Sequence, residues 1–204
     1  MTEPSEKASS RANGALGDDA EPDSPGPIDE GLAGLTLDID MRAAAWQPFI
    51  ADLEAHAVYL ASALALPPVE VSLVLGDDAL LATLNGDYRD KTGPTNVLSF
   101  PALDLQPQTG AASDDKGAGL FAGALLGDIV MSFDTLAREA QEGGISLTAH
   151  SLHLFTHGLL HLLGHDHMAE DEAARMETLE TELLLAAGLD DPYGPRDTAA
   201  GTSA

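Results

Sequence analysis

His157-Gly158-Leu159-Leu160-His161-Leu162-Leu163-Gly164-His165-Asp166-His167 is the most informative run in this 204-residue chain. It continues a helical pattern that spans Leu147 to Leu163. On a helix, His157 and His161 project from one face one turn apart, so two imidazole nitrogens can meet a single ion. Gly164 follows three residues later and permits a sharp turn that other residues disfavour. That turn would return His167 to the same point as a third ligand. Three histidines on Zn²⁺ leave one position open for water, the catalytic rather than the structural pattern. Bound water then becomes a usable nucleophile near neutral pH. One divalent ion is therefore expected, with Zn²⁺ preferred, although a set of three histidines also suits nickel, cobalt and copper.

Six of the seven histidines fall between His150 and His167. His153 and His150 lie on the same stripe one and two turns before His157, and His165 sits beside the turn. Packing, surface or ligand-orienting roles are expected for these three. His56, in an earlier helical segment, reads as structural. Asp166 is the nearest carboxylate and a possible accessory group, either as a base or as a partner that orients a ligand histidine. The histidine and glycine spacing is also that of HExxHxxGxxH metalloproteases. Here Gly158 replaces the glutamate that activates water, which makes a peptidase the weaker reading.

Outward from this run, the chain reads as one mixed domain over residues 34–194. Leu35–Asp40, Glu70–Leu75, Thr95–Phe100 and Asp128–Phe133 have strand patterns. Helical patterns cover Trp46–Leu66, a segment capped by Asp77, one started by Asp134 and ended at Gly143-Gly144, Leu147–Leu163, and Glu170–Ala187. The fold class expected is α+β, a small mixed sheet packed against helices with the metal site on a central helix. Residues 1–33 read as a disordered acidic tail, with eight acids against Lys7 and Arg11. Asp104–Gly119 reads as a surface loop, and residues 195–204 as a flexible tail.

Composition narrows the chemistry. There is no cysteine, so thiolate catalysis and Cys-held metals are excluded. The net charge of −25, from 34 acidic and 9 basic residues, argues against a general nucleic-acid binder, and no DNA partner is expected. No run is long and apolar enough for a membrane span, and the N-terminus lacks an export signal, so a cytoplasmic location is expected. The acids from Glu170 to Glu182, Glu180 among them, read as a solvated helix face.

The tightest basic pair in the domain is Arg89 and Lys91, within Leu84-Asn85-Gly86-Asp87-Tyr88-Arg89-Asp90-Lys91. An arginine can fork two hydrogen bonds onto a phosphate, and a lysine adds a point charge. A surface salt bridge to Asp87 or Asp90 is the plainer alternative.

These segments together resemble the YbeY family of bacterial rRNA-maturation endoribonucleases. His157–His167 matches its HGxLHLxGxDH hallmark at every fixed position. Leu84–Arg89, Thr95–Pro101, Leu126–Ile129 and the closing Met176–Tyr193 follow in the family's order. The resemblance covers about Leu35 to Tyr193. It implies that His157, His161 and His167 bind the metal, usually zinc, and that Arg89 faces it across a cleft. It further implies metal-dependent cleavage of single-stranded RNA, maturation of the 16S rRNA 3′ end and ribosome quality control. Asn96 departs from the aspartate found in many members. The small ribosomal subunit or its proteins are the partners implied, and the acidic charge suggests that such a partner supplies binding energy. The competing readings are a metal-dependent hydrolase of another class, metalloprotease-like, and a non-enzymatic ribosome-assembly factor.

Overall fold

The computed structural model describes residues 34–105, 122–166 and 169–194. The two expected tails, His167 and nearly all of the expected surface loop lie outside the described residues.

Four strands form one mixed sheet: β1 (Leu35–Met41), β2 (Val69–Gly76), β3 (Val97–Pro101) and β4 (Leu125–Ser132), in the order β1-β2-β4-β3. The first three in that order run parallel, and β3 is antiparallel to β4. Alternation decides which side chains face inward. Leu73, Ile129 and Val97 belong to the larger core, which also holds Leu53 and Leu60 of α1 (Ile50–Ala63) and Phe155 and Leu159 of α4 (Leu147–Leu162). Val74, Val130 and Leu98 take the other phase and form a smaller cluster with Leu81 and Leu84 of α2 (Asp78–Arg89). Thus α1 and α4 lie on one face of the sheet and α2 on the other. The α+β expectation holds. Among the described residues no helix is long and apolar enough to cross a membrane.

Several boundaries differ from expectation for local reasons. The segment expected as one helix from Trp46 is a 3-10 turn over Ala44–Phe49, containing Pro48, followed by α1. It stops at Ala63 because Ala65 adopts φ +50°. Asp77 caps α2 as expected, accepting from Leu80 N at 2.9 Å. The helix expected from Asp134 is α3 (Phe133–Gly143), which starts one residue earlier and is capped by Ser132. Asp134 instead accepts from Asp78 N on α2. Asp78 returns the contact by accepting from the Thr135 backbone and the Ser132 and Thr135 hydroxyls. Each helix start therefore supplies a carboxylate to the other.

β4 begins three residues earlier than expected, and its pairing with β2 shifts between Glu70 and Val71, where Leu126 is the extra residue of a bulge. Gly127 sits there at φ +146°. A Cβ on it would lie 2.3 Å from the Phe100 carbonyl oxygen and 2.9 Å from Ala102 N. Only glycine fits.

Candidate metal centre

α4 carries the histidine stripe. Its start is capped by Ser146, which accepts from Ala149 N at 3.0 Å. Its end is closed by Gly164 at φ +88°, with His165 N donating to Leu160 O. This is the turn expected from the glycine, and a left-handed residue just past a helix is a common stop.

His157 and His161 meet as the helical spacing requires. Their Nε2 atoms stand 3.1 Å apart and their rings are nearly perpendicular. The other ring nitrogens identify the tautomers. His161 Nδ1 lies 2.9 Å from the His165 carbonyl oxygen, which can only accept. His157 Nδ1 lies 3.4 Å from Glu180 Oε2. Both Nδ1 atoms therefore carry the proton, and both Nε2 lone pairs point at one place. Two facing lone pairs repel unless a cation joins them. With Zn–N bonds of about 2.0–2.1 Å, two ligands of one tetrahedral ion stand about 3.3 Å apart. The pair fits a divalent metal on this count. Among the described residues no third His, Asp or Glu completes a three-ligand group, and His167, the expected third ligand, lies outside them.

Glu180 corrects the expectation of a solvated acidic face. It lies on α5 (Glu170–Ala186) and is 0% exposed. Its helical neighbours four before, three after and four after are Met176, Leu183 and Leu184, all buried. That apolar phase was the available signal. The carboxylate accepts from Tyr193 Oη at 2.5 Å and lies 3.1 Å from His153 Nε2, an ion-pair distance without hydrogen-bond geometry. Burial pushes its acidity down, but His153, His157 and Tyr193 outweigh that and hold the carboxyl at about 2. Burial, and then Glu180, push the Tyr193 hydroxyl well above its ordinary value.

The remaining histidines behave as orienting or structural groups. His150 Nε2 lies 2.8 Å from Glu139, whose carboxylate also accepts from Asn96 Nδ2. An amide at position 96 thus supplies a donor where a second carboxylate would repel. His56 is buried against Thr156. Asp166 is exposed beyond the turn.

Arg89 and Lys91 are exposed at and just beyond the end of α2. Among the described residues, neither Asp87 nor Asp90 forms an ion pair with Arg89. Asp90 takes φ +53° there, and Asn85 secures the following loop by donating to Gly93 O. A groove of about 330 Å³ runs beside α2, between Arg42, Leu84, Tyr88, Phe100 and Asp128. It is not the histidine site.

Gly158 has a packing reason beyond its missing carboxylate. A Cβ there would come within 3.1 Å of Ile129 Cγ2 and Ser99 Oγ. The helix lies close on the sheet at that point, and Ser99 Oγ donates to the Gly158 carbonyl. A glutamate there would require Ile129 and Ser99 to give way.

Residues 41–188 match the family described as "Endoribonuclease YbeY". The chain belongs to the YbeY family. It is 46% identical over 168 residues to the endoribonuclease YbeY of Paramagnetospirillum magneticum, covering 78% of this chain and 96% of that one. It is 44% identical over 167 residues to that of Parvibaculum lavamentivorans, covering 80% and 87%. A third, from Sphingopyxis alaskensis, is 43% identical over 172 residues, covering 79% and 99%. A solution structure from Thermotoga maritima aligns with a TM-score of 0.46 at 17% identity, covering 79% of this chain and all of that one. As a YbeY-family chain, it places the histidine pair within the part that its relatives share.

Proposed function

We propose that this YbeY-family protein is a metal-dependent endoribonuclease that cleaves single-stranded RNA, with the 3′ region of small-subunit rRNA as substrate. The observation that carries this is the convergence of two Nε2 lone pairs, each held by an acceptor behind it, in a chain whose relatives are named endoribonucleases. His157, His161 and His167 would hold one divalent ion, Zn²⁺ by preference. When bound, such an ion polarises a phosphate oxygen and acidifies a water. The chain's own groups do the rest. Glu180 and the His165 carbonyl hold the proton of each ligand imidazole on Nδ1, which leaves Nε2 as the lone pair. Arg89 offers a forked pair of donors to the phosphate and stabilises charge developing on it. Lys91 adds charge beside it, and Asp166 is an accessory carboxylate next to His167.

Gly158 disfavours the metalloprotease-like alternative, because the water-activating glutamate of that motif is absent and its position is crowded by Ile129 and Ser99. The charge of −25 supports weak affinity for free RNA and a ribosomal partner that supplies binding energy.

The test is cleavage of a single-stranded RNA from the 16S rRNA 3′ region, with Arg89→Ala and His161→Ala purified identically. Parent activity that falls about 100-fold or more in both folded variants supports the reading. Equal activity in all three refutes it. An inactive parent that binds small subunits favours the non-enzymatic assembly role.

A further inference from the structure

We propose that Glu180, held in place by Tyr193, is a positioning residue of the metal centre, so that the turn after α5 belongs to the site. The inference rests on the metal reading above. Other acids of the same helix, among them Asp171, Glu177 and Glu182, are exposed, whereas Glu180 is wholly buried among Met176, Leu183 and Leu184. A carboxylate in that position is costly unless donors surround it. It has donors on two sides. Tyr193 Oη donates to Oε2 at 2.5 Å, and His157 Nδ1 approaches the same oxygen at 3.4 Å. His153 stands at the other oxygen, with its ring edge against the Tyr193 ring. A carboxylate behind a histidine fixes the proton on Nδ1, orients the ring and makes Nε2 the stronger donor to a metal.

Tyr193 itself is held by the chain beyond the helix. Its backbone N–H donates to Asp191 Oδ1 at 2.9 Å, and Thr181 Oγ1 of α5 donates to the same oxygen at 3.4 Å. The turn is thereby fastened to α5 one step from Glu180. A purely structural tie between α4 and α5 would need no acceptor directed at a ligand nitrogen.

The two roles separate by measurement. The metal-free full-length chain is titrated with Zn²⁺ in competition with a chromophoric chelator, and urea unfolding is followed without metal. Glu180→Gln, Tyr193→Phe and His161→Ala are compared with the parent. The expected result is Zn²⁺ affinity about 10- to 100-fold lower in Glu180→Gln. A smaller loss, roughly threefold to tenfold, is expected in Tyr193→Phe, where one donor to the carboxylate is removed. The metal-free unfolding midpoint falls as well in both, because a buried carboxylate or one of its donors is lost, so the Zn²⁺ affinity of the folded chain is the deciding readout.

Parental Zn²⁺ affinity in both variants overturns this inference and leaves the metal centre standing. A metal-free midpoint that falls while affinity holds assigns Glu180 to the packing alone and equally overturns it. A parent that binds no Zn²⁺, or binds it as well after His161→Ala, overturns the metal centre and this inference together. Should Glu180→Gln fail to fold, Tyr193→Phe decides, because its ring is 48% exposed and outside the core.

Discussion

Replacing His56 by Leu should remove a pH dependence of folding that the parent carries. His56 is 5% exposed on α1, with Nε2 2.8 Å from Thr156 Oγ1. That hydroxyl already donates to Leu152 O at 2.9 Å, so it accepts from His56, and the ring is held neutral. Burial lowers the imidazole from its ordinary 6.5 to about 4. The unfolded chain therefore takes up a proton that the folded chain refuses. The stabilisation is complete above 6.5 and is lost as the pH falls from 6.5 towards 4. At about 1.4 kcal/mol per pH unit, the whole window is worth about 3 kcal/mol, and about 2.5 kcal/mol is gone by pH 4.5. Leucine fills a similar volume and leaves Thr156 bonded through Leu152, so at pH 7.5 the variant should lie within about 1.5 kcal/mol of the parent. Trp46, the only tryptophan and fully buried, reports urea unfolding of the metal-free chain at pH 7.5, 5.5 and 4.5. The other histidines titrate alike in both proteins and cancel in the difference. The gap between variant and parent should move in the variant's favour by about 2.5 kcal/mol between pH 7.5 and 4.5. A gap that stays constant across that range would refute the reasoning.

Three further outcomes test the packing around the site. Gly127→Ala should cost more than about 3 kcal/mol, because it combines a left-handed backbone with a Cβ 2.3 Å from a carbonyl oxygen; urea unfolding near the parent's midpoint would contradict the bulge. Gly158→Ala should cost roughly 1 kcal/mol, strain against Ile129 outweighing the gain in helix propensity. Gly158→Glu, by the same packing, should fold poorly and show no peptidase activity on unstructured casein, and a stable, proteolytic Gly158→Glu chain would show that crowding does not exclude the glutamate.

What could be read from the sequence was what is decided within a few residues. The His157–His161 pair follows from helical spacing, the turn at Gly164 from the conformational freedom of glycine, and the Asp77 cap from one side chain three residues before an orphan N–H. The strands declared themselves by alternation. The features that escaped are set by a residue held against its own preference or by distant neighbours. Ala65 ends α1 in a conformation alanine disfavours, with Leu66 N bonded back to Ala61 O. Asp134 stands at the expected helix start, but the N–H it accepts from is that of Asp78, 56 residues away.

Glu180 shows the difference most clearly. Counted by composition, it is one acid in an acidic helix and belongs to the solvent. Placed by phase, it shares a face with Met176, Leu183 and Leu184, where a carboxylate would be destabilising by itself. A charged residue on an apolar phase is thus a conflict between two local rules, and such a conflict is resolved only by partners from elsewhere in the chain. Here the partners are His153 and His157 from α4 and Tyr193 from the closing turn. All three already lay in segments singled out for other reasons, the histidine stripe and the family's closing motif. The closing motif therefore has a physical reason for ending in tyrosine: its hydroxyl completes the set of donors around the buried Glu180 behind the histidine pair.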